Sequence, residues 1–540
     1  MITVGLYGIQ DTDPGTTPRY THDHNLALMR DGRVLTVVQL ERWTGRKFDN
    51  RLPLFIGEIL DKLLPPDEPV RFVSVNTFVG SSFISVDGRL RIEPKGEVGI
   101  TADLVPAEVH WFPDGVTRRP AEGWVLCHEA AHLGSLLPFV GAFRDGALAA
   151  HVDGGASRSA CSFWEVENGL PRPRESSWDL LKDVVNNFND SPIARLLLGL
   201  PPEAHLAMPG RLMGYAGLGT PDDALEEWLL GHGWFLGIDD AAVERALRER
   251  IGSADQRSPA YQDLAATLQR AFKRRLVSEL TARSPSTSTL YLAGGAALNI
   301  PTNAALLDHF DEVHVPPGTN DGGLGLGAAA WLEYLDSGTL PIHDPFLNRF
   351  DVPVEEPEPS AVGEVARRLA SGEVVGVCNG AAELGPRALG HRSILARADD
   401  VTLRARVSEQ LKRREWYRPV APVMGADAAL EILGPRAAES SLARWMLGAW
   451  TVRPEWAKPF AGVLHQDGTV RAQVVRDDGT NSWLAQLLGV LWRDHGLPGL
   501  INTSFNGPGR PIVHRHEDAL PEARRLGLDQ VVVHGSLHRP

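Results

Sequence analysis

Cysteine, basic charge and long apolar runs are scarce in this sequence. The 540 residues include only Cys127, Cys161 and Cys378, and three scattered cysteines fit a reducing cytoplasm better than a disulfide framework. Lys and Arg total 54 against 68 Asp and Glu, a net charge of −14, which argues against binding to nucleic acid or anionic membranes. The chain has no run near the roughly 18 apolar residues of a membrane span, and its start does not read as a signal peptide. We expect a cytoplasmic protein with neither a nucleic-acid nor a membrane partner.

The remaining composition is that of an ordinary globular protein, with 43% apolar and 23% charged residues. A chain of this length exceeds what one hydrophobic core normally covers, so at least two domains are expected. The segment Pro341–Pro359 has five prolines and an acidic run, which predicts a linker. The expected organisation is a domain at 1–340, a linker at 341–359 and a second domain at 360–540.

Two segments of the first domain begin alike, with an apolar strand that leads into a turn of small residues. They are Ile2–Ile9, followed by a hairpin around Asp31-Gly32, and Ala147–Val152. The repetition suggests two related α/β halves. Four-residue spacing of apolar side chains predicts an amphipathic helix over Ala260–Leu280, and the Gly- and Ala-rich Gly322–Leu332 predicts a tightly packed helix.

A histidine pair and an aspartate are candidate metal ligands. His128 and His132 lie four residues apart, so a helix would place both rings on one face, where they could share a metal ion. The letters read HEAAH, but Gly134 and Pro138 interrupt the long helix of a zinc protease. A structural alternative is a pair that bonds backbone carbonyls. Asp321 precedes a glycine-rich helix start, where it could complete the metal site or act only as the N-cap.

The carboxy-terminal part concentrates basic side chains in an otherwise acidic chain. A solvated charge run is the usual explanation, but interleaved Trp416 and Tyr417 favour a folded surface on which guanidinium groups clamp phosphate. The candidate anion ligands are Arg387, Arg392, Lys412, Arg413, Arg414, Arg418, Arg471 and the polar turn of residues 502–506. Gly294-Gly295 with Asn299 would allow close backbone approach to a nucleotide, although a lone glycine pair is a weak signal.

In combination, these motifs closely resemble the O-carbamoyltransferases of nodulation-factor and antibiotic biosynthesis. The resemblance spans nearly the whole chain, through the segments HDHNLALMRDGRV, HEAAH, PGRLMGYAGLG, LAGGAALN, PPGTNDGGLGLGAA, GPRALGHRSIL, REWYRPVAP and NTSFN with PIV after it. Several long motifs in one order are far more specific than any single motif.

The resemblance implies an architecture and a two-step reaction. The first domain would be a duplicated actin/hexokinase-like nucleotide-binding fold, and the second a YrdC-like α/β domain that makes acyl-adenylates. Carbamoyl phosphate and ATP would give carbamoyl-adenylate and pyrophosphate. The carbamoyl group would then pass to a hydroxyl of a small natural-product acceptor, releasing AMP. ATP would carry Mg(II), and a homodimer is left open.

The resemblance also implies roles for individual residues. The carbamoyl-phosphate ligands would be Lys412, Arg418, Arg471, Asn502 and Ser504, of which Lys412 and Arg418 would also act in catalysis. The nucleotide ligands would be Asp153, Gly294, Gly295, Asn299 and Arg387. The metal triad would be His128, His132 and Asp321, normally holding Fe(II), a divalent metal that suits two imidazoles and one carboxylate.

His22 matches the family's amino-terminal HD histidine, and the resemblance implies that it is the general base for the acceptor hydroxyl. A neutral imidazole is suited to proton transfer near pH 7. A structural alternative is a histidine that only bonds the neighbouring loop. The chain departs from the family at Asn25, Ala381 and Arg510, which concerns details of the nucleotide pocket.

Two other functions stay open at the level of sequence. One is a carbamoylating relative, such as a maturation enzyme of the HypF type that shares both domain types. That enzyme also has acylphosphatase and zinc-finger parts, for which this chain lacks the length and the cysteines. The other is a non-catalytic, nucleotide-binding regulator. A regulator would not need the second phosphate site formed by Lys412, Arg418 and Arg471.

Overall fold

The computed structural model describes residues 1–540 except 9–20, 66, 190, 253–254, 285–287, 356 and 359. Three main β-sheets follow one another along this part of the chain, each packed with helices. The described residues contain no helix that is both long and apolar enough to cross a bilayer.

The first sheet contains eight strands in the order β3-β2-β1-β4-β8-β7-β6-β5. Strands β1, β2 and β3 are antiparallel neighbours, and β4 and β8 continue parallel to β1. The predicted hairpin is confirmed, since Asp31 and Gly32 have φ of 50° and 74°, as a type I′ turn requires. The predicted strand from Ile2 ends at Tyr7, and Ile9 lies outside the described residues. The strands are β1 Ile2–Tyr7, β2 Asn25–Arg30, β3 Arg33–Gln39, β4 Val70–Val75, β5 Phe83–Ile84, β6 Leu90–Pro94, β7 Val105–Trp111 and β8 Glu122–Leu126.

The second sheet repeats the central part of the first. Its order is β11-β10-β9-β12-β13, with β9, β10 and β11 antiparallel neighbours and β12 and β13 parallel to β9. The same order and the same strand directions occur twice, which confirms the two related halves predicted from the repeated strand starts. The strands are β9 Leu148–Val152, β10 Cys161–Glu167, β11 Leu170–Ser177, β12 Thr289–Ala293 and β13 Glu312–His314.

Between β11 and β12 the chain is helical, and the long predicted helix is present as α10. The helices of the first 340 residues are α1 Leu40–Thr44, α2 Leu52–Leu63, α3 His128–Gly134, α4 Leu137–Val140, α5 Lys182–Asn189, α6 Pro192–Leu198, α7 Met208–Ala216, α8 Asp223–Gly231, α9 Asp240–Ile251, α10 Pro259–Ala282, α11 Ile300–Leu306 and α12 Leu324–Ser337.

Helices α3 and α12 touch backbone to backbone, because two glycines remove the side chains between them. A Cβ on Gly134 would lie 2.3 Å from the carbonyl oxygen of Gly327, and one on Gly327 would lie 1.8 Å from that of Ala131. Neither position can carry a larger residue without moving a helix. This contact brings the histidines of α3 beside the residues that precede α12, and it confirms the tightly packed glycine-rich helix.

The third sheet is mixed and has seven strands in the order β19-β16-β20-β15-β14-β21-β22, with β17 and β18 paired separately. The mixed α/β class agrees with the expectation, and the YrdC-like description stays a prediction. The strands are β14 Val375–Cys378, β15 Arg392–Arg397, β16 Ala421–Gly425, β17 Trp450–Thr451, β18 Thr469–Val470, β19 Gln473–Val475, β20 Leu500–Ser504, β21 Gln530–Val533 and β22 Ser536–His538. The helices are α13 Val362–Ala370, α14 Val401–Ala405, α15 Ala426–Ile432, α16 Pro435–Glu439, α17 Ser441–Arg444, α18 Ser482–His495 and α19 His516–Leu526.

The proline-rich segment 341–359 has neither a helix nor a strand among its described residues, but it is not an exposed linker. Phe346, Leu347 and Phe350 are buried, and Leu347 accepts a hydrogen bond from the backbone of Val37. Asn348 bridges the backbone of Ala382. The connection is therefore packed between the first and third sheets.

Candidate functional site

The two histidines of α3 and Asp321 converge in a buried cluster. Nε2 of His128 lies 3.0 Å from Nε2 of His132, and Oδ1 of Asp321 lies 3.5 Å from each. The helix begins at His128 because the Cys127 sulfur accepts the Ala130 N–H, 3.4 Å away, and caps it. The structure thus brings together all three residues that were expected to form the metal triad.

The donor set fits a divalent metal ion. Bonds of about 2.1 Å at right angles place neighbouring ligand atoms roughly 3.0 Å apart, close to the spacing of the two imidazole nitrogens. Both Nδ1 atoms, of His128 and His132, are buried without a hydrogen-bond partner among the described residues. Burial alone would raise the pKa of Asp321, but His22 and His128 hold it well below its usual range, so the carboxylate is ionised. Two imidazoles and one carboxylate are the set that non-haem Fe(II) uses.

Asp153 lies on the other side of His132. It directly follows strand β9, next to the end of strand β12. Its Oδ2 is 3.5 Å from Nε2 of His132 and accepts the N–H of Gly295. Gly294 has φ of 101°, and a Cβ there would lie 2.2 Å from the Val152 carbonyl oxygen. The glycine pair therefore serves close packing of two strand ends, and Gly295 but not Gly294 lines the cavity. His132, His151 and Asp153 form a second set of side chains that are close enough together to hold a metal ion.

His22 lines the cavity beside Asp23. Its Nδ1 lies 3.1 Å from Oδ2 of Asp23, which also accepts a hydrogen bond from Asn320 at 3.0 Å. Burial lowers the pKa of His22, but the carboxylates of Asp321 and Asp23 outweigh it and raise the pKa to about 9. In the protein without a metal ion His22 is therefore cationic at pH 7, whereas the sequence led us to expect a neutral imidazole.

Two residues that sequence reasoning missed hold Asp321 in place. The Tyr7 hydroxyl donates to Oδ2 of Asp321 at 2.6 Å, and Asn25 donates to the Asp321 carbonyl at 2.8 Å while accepting from Gly325 N at 2.8 Å. Asn25 was noted only as a departure from the family pattern. The sequence feature that could have identified Tyr7 is its position at the end of the first strand, because ligand sites of α/β sheets lie at strand ends.

In the third sheet's domain, four guanidinium groups face one another across the cavity: Arg387, Arg414, Arg418 and Arg471. Burial, and then the neighbouring arginines, lower the pKa of Arg414 to about 9 and that of Arg387 to about 10. The Nε atoms of Arg387 and Arg471 are buried and have no hydrogen-bond partner within the part of the chain that the structure describes. Like charges held together in this way are stabilised by an anion, so the cluster fits phosphate. Arg414 was a candidate anion ligand from the basic run, but it was not among the carbamoyl-phosphate ligands that the resemblance implies.

Lys412 completes the cationic cluster. Its Nζ donates to Oγ of Ser504 at 2.9 Å, to Oδ1 of Asn506 at 2.6 Å and to the Ser504 carbonyl. Burial, with Arg414 nearby, lowers the pKa of Lys412 well below that of an ordinary lysine. Ser504 and Asn506 thus orient the ammonium group; Asn506 belongs to the polar turn of residues 502–506 that the sequence singled out, although the family resemblance assigned no role to it.

Two expected ligands have other contacts. Asn502 does not line the cavity: its amide nitrogen donates to the Ala388 carbonyl at 3.1 Å and to Gln473 at 2.6 Å, which holds the loop that carries Arg387. The prediction of a direct phosphate contact from Asn502 is not supported by this placement. Asn299 does line the cavity, and its side chain caps α11 through Thr302 at 3.2 Å.

One cavity of about 1920 Å³ joins the two groups of residues. His22, Asp153 and Asp321 lie in its wall at one end, and the four arginines with Lys412 at the other. A third wall comes from helices α7 and α10 and from residues 205–207, which precede α7. Of the departures noted in the sequence, Arg510 lines this cavity and pairs with Glu522 at 3.1 Å, while Ala381 is buried and does not line it.

Comparison with protein families gives two matches in separate parts of the chain. A family model described as carbamoyltransferase N-terminus matches residues 193–330, and one described as carbamoyltransferase C-terminus matches residues 366–539. The second match covers the four arginines and Lys412.

Curated relatives agree with the family models. Nodulation protein U of Bradyrhizobium diazoefficiens is 32% identical over 335 residues, which cover 56% of this chain and 58% of the relative. The 3'-hydroxymethylcephem-O-carbamoyltransferase of Amycolatopsis lactamdurans is 33% identical, over 52% of this chain and 54% of the relative. Nodulation protein NolNO of Sinorhizobium fredii is 27% identical over 99% of this chain and 82% of the relative. The chain thus spans 58% of the first relative's length.

Similar solved structures include an activator of the 2-hydroxyisocaproyl-CoA dehydratase from Clostridium difficile, with a TM-score of 0.30 and 12% identity, over 63% of this chain and 97% of that one. A ROK hexokinase from Thermus thermophilus has a TM-score of 0.27 and 18% identity, over 62% and 99%.

Proposed function

Because the chain belongs to the carbamoyltransferase family, we propose that it is an ATP-dependent O-carbamoyltransferase. In the first step, carbamoyl phosphate, water and ATP give carbamoyl-adenylate, phosphate and pyrophosphate. In the second, an acceptor hydroxyl attacks the carbamoyl carbon, the C–O bond to the adenylate breaks, and the carbamate ester and AMP leave. The acceptor is a small hydroxylated natural product. Residues 360–540 would carry the first step and residues 1–340 the second.

The observation that carries this proposal is the single cavity between the two clusters. Its cationic end suits phosphorylated substrates and its histidine end suits transfer to a hydroxyl. An activated intermediate such as carbamoyl-adenylate hydrolyses in water, so a continuous cavity from one end to the other favours transfer over release into solution. A regulator that only senses a nucleotide would need neither the second cluster nor the path.

At the cationic end, the chain's own residues bind and polarise phosphate. Lys412, Arg418 and Arg471 would hold carbamoyl phosphate, with Arg414 as an added ligand, and Arg387 would face the nucleotide. Fixed cations in a partly buried site stabilise charge that develops on the α-phosphate during attack. They require no reorganisation, because Ser504 and Asn506 already orient the Lys412 ammonium.

At the histidine end, His128, His132 and Asp321 would hold a divalent metal, for which Fe(II) is the proposed ion. When bound, the metal supplies a Lewis acid for a phosphate oxygen. His22 would take the proton of the acceptor hydroxyl once the charge of Asp321 is balanced, because Asp321 is what chiefly raises its pKa. Asp153, Gly295 and Asn299 would contact the nucleotide, and Mg(II) would accompany ATP.

The test is a stepwise assay on the purified full chain. Pyrophosphate release from ATP should depend on carbamoyl phosphate, and AMP release should rise when a carbamoyl acceptor is present. The product should be about 43 mass units heavier than the acceptor, because a carbamoyl group replaces one hydrogen. A rate of pyrophosphate release that does not depend on carbamoyl phosphate would refute the proposal. Nucleotide binding with no turnover would favour the regulator instead.

A further inference from the structure

Two large aromatic side chains are exposed where the cavity meets solvent. Phe78 is 50% exposed and Trp178 is 43% exposed, and both line the cavity. Leaving such surfaces in water costs free energy that burial would recover. Exposed apolar surface at the mouth of a cavity is typical of a ligand site.

Both aromatic residues rest on the turn that follows Asp153. The backbone N–H of Phe78 donates to the Ala156 carbonyl at 3.2 Å. The indole of Trp178 lies across Gly155, where a Cβ would be 3.3 Å from its ring. Since Asp153 is 3.5 Å from His132, this turn connects the two rings directly to the histidine cluster.

The Trp178 backbone is fixed by its neighbours. The Ser177 hydroxyl accepts the N–H groups of Asp179 at 3.1 Å and Leu180 at 3.0 Å, which closes a turn around Trp178. A ring on such a turn is held in place before a ligand arrives, so little order is lost on binding.

One stretch of the cavity wall is mostly apolar. Between residues 178 and 221 the described lining side chains include Val185, Phe188, Leu206 and Met213. The charge of Arg211 is balanced, because its Nε lies 3.1 Å from Oε1 of Glu415. This stretch suits the apolar part of a ligand, while Lys47, Asp153, Arg270 and Lys273 also line the cavity.

We propose that Trp178 and Phe78 form the acceptor subsite, and that the acceptor is a ring-bearing hydroxyl compound whose flat apolar face lies on them. This inference rests on the proposed function, since the turn they share places the bound ring beside the residues that would carry transfer. The face of the ring supplies affinity through contact with the aromatic surfaces. Its hydroxyl then reaches the His22 end of the cavity. Open-chain alcohols lack the face that this subsite binds.

The experiment measures binding, which is independent of turnover. Saturation-transfer NMR with phenyl β-D-glucoside as the ring probe and glycerol as the open-chain probe is applied to the wild type, Trp178→Ala, Phe78→Ala and Trp178→Phe. We expect the glucoside to bind the wild type, about tenfold weaker binding or worse in each alanine variant, and retention in Trp178→Phe, which keeps a ring. Leu230→Ala is the matched control, because Leu230 is 60% exposed and lies outside the cavity lining.

The results separate this inference from the proposed function. No glucoside binding to the wild type, equal binding in Trp178→Ala, or glycerol binding as strong as the glucoside would each overturn the subsite. Carbamoyl-phosphate-dependent pyrophosphate release is measured in the same proteins and should be unchanged in the control Leu230→Ala. Its absence from the wild type would instead count against the proposed function, whatever the probes do.

Discussion

The guanidinium group of Arg42 donates to the carbonyl oxygen of Gly385, 3.4 Å away, and to that of Glu383 at 3.3 Å. Arg42 lies on α1, in the first sheet's half, and Gly385 opens the loop that carries Arg387. The Arg42 side chain is fully buried. On the other face of Gly385, a Cβ would meet the Pro317 carbonyl oxygen at 2.2 Å, and Pro317 precedes the metal-site loop. Gly385 thus contacts both α1 and the segment before Asp321, and so links the arginine end of the cavity to its histidine end.

Glu383 also holds the loop that carries Arg387. Its Oε1 accepts three backbone N–H groups, from Leu389, His391 and Arg392, at 2.8 to 2.9 Å. Nε and Nη1 of Arg42 and Oε2 of Glu383 are buried without a hydrogen-bond partner among the described residues. The carboxylates of Glu41 and then Glu383 offset the buried charge of Arg42, whose desolvation would otherwise be costly.

Replacing Arg42 should weaken the activation step, although Arg42 touches no substrate. Arg42→Ala removes the donors that hold the loop, so we expect the KM for ATP to rise about tenfold and the unfolding temperature to fall. Arg42→Lys should restore part of both. Pyrophosphate release and thermal unfolding are the measurements, with the exposed Arg33→Ala as control. An unchanged KM alongside a lower unfolding temperature would mean that Arg42 is only structural.

Removing either of two cations should strongly slow formation of carbamoyl-adenylate. Lys412→Ala and Arg418→Ala each remove a charge-assisted contact of about 1.5–3 kcal/mol, or about 10- to 100-fold in kcat/KM for carbamoyl phosphate. Arg414→Ala should have a similar effect, because Arg414 faces the same anion. Pyrophosphate release at the wild-type rate in these variants would refute the assignment of the phosphate site.

The same cluster sets a pH dependence. The pKa of Lys412 lies well below its ordinary 10.5 because of burial and the nearby Arg414, Lys47 and Arg418. A lysine with a lowered pKa loses its charge at lower pH, so kcat/KM for carbamoyl phosphate should fall as pH rises, before 10.5 is reached. A rate profile in carbamoyl phosphate checks this. A flat profile up to pH 10.5 would contradict the predicted loss of charge.

Loss of one histidine should remove the metal and leave activation intact. His132→Ala removes the imidazole that the triad shares with the second set of His151 and Asp153, so too few ligands remain in either set for tight binding. We expect metal content to fall to background and transfer to slow, while carbamoyl-phosphate-dependent pyrophosphate release continues. Metal analysis and the two half-reactions decide this. Wild-type protein that contains no transition metal after growth with iron, and that chelators do not slow, would rule out the triad.

Metal binding should lower the pKa of His22. Asp321 raises that pKa to about 9 together with Asp23, and a bound cation offsets the carboxylate, so the histidine loses its proton at lower pH. NMR titration with and without Zn(II), a diamagnetic probe, should show the shift in the wild type and none in His132→Ala. His22→Asn should slow transfer about 10²–10⁴-fold with normal pyrophosphate release, and a full transfer rate would exclude His22 as the base.

The sequence determined the features that depend on local spacing and order. The four-residue step of His128 and His132 placed both on one helix face, the turn at Asp31-Gly32 needed positive φ, and the apolar starts at Ile2 and Ala147 signalled two related halves. The basic run around Lys412 was visible because charge stands out in an acidic chain. These properties are set by neighbours within a few residues.

Only the tertiary structure decided which distant residues share the site. Tyr7, Asn25 and Asp321 meet because the β1 and α12 backbones pack through Gly5 and Gly325, which no local pattern encodes. The Asn502 amide donates to the Ala388 carbonyl and to Gln473, and His22 is cationic because Asp321, some 300 residues away, comes close. Contacts across such separations arise from packing of whole elements, so the sequence names candidates and the fold assigns them partners.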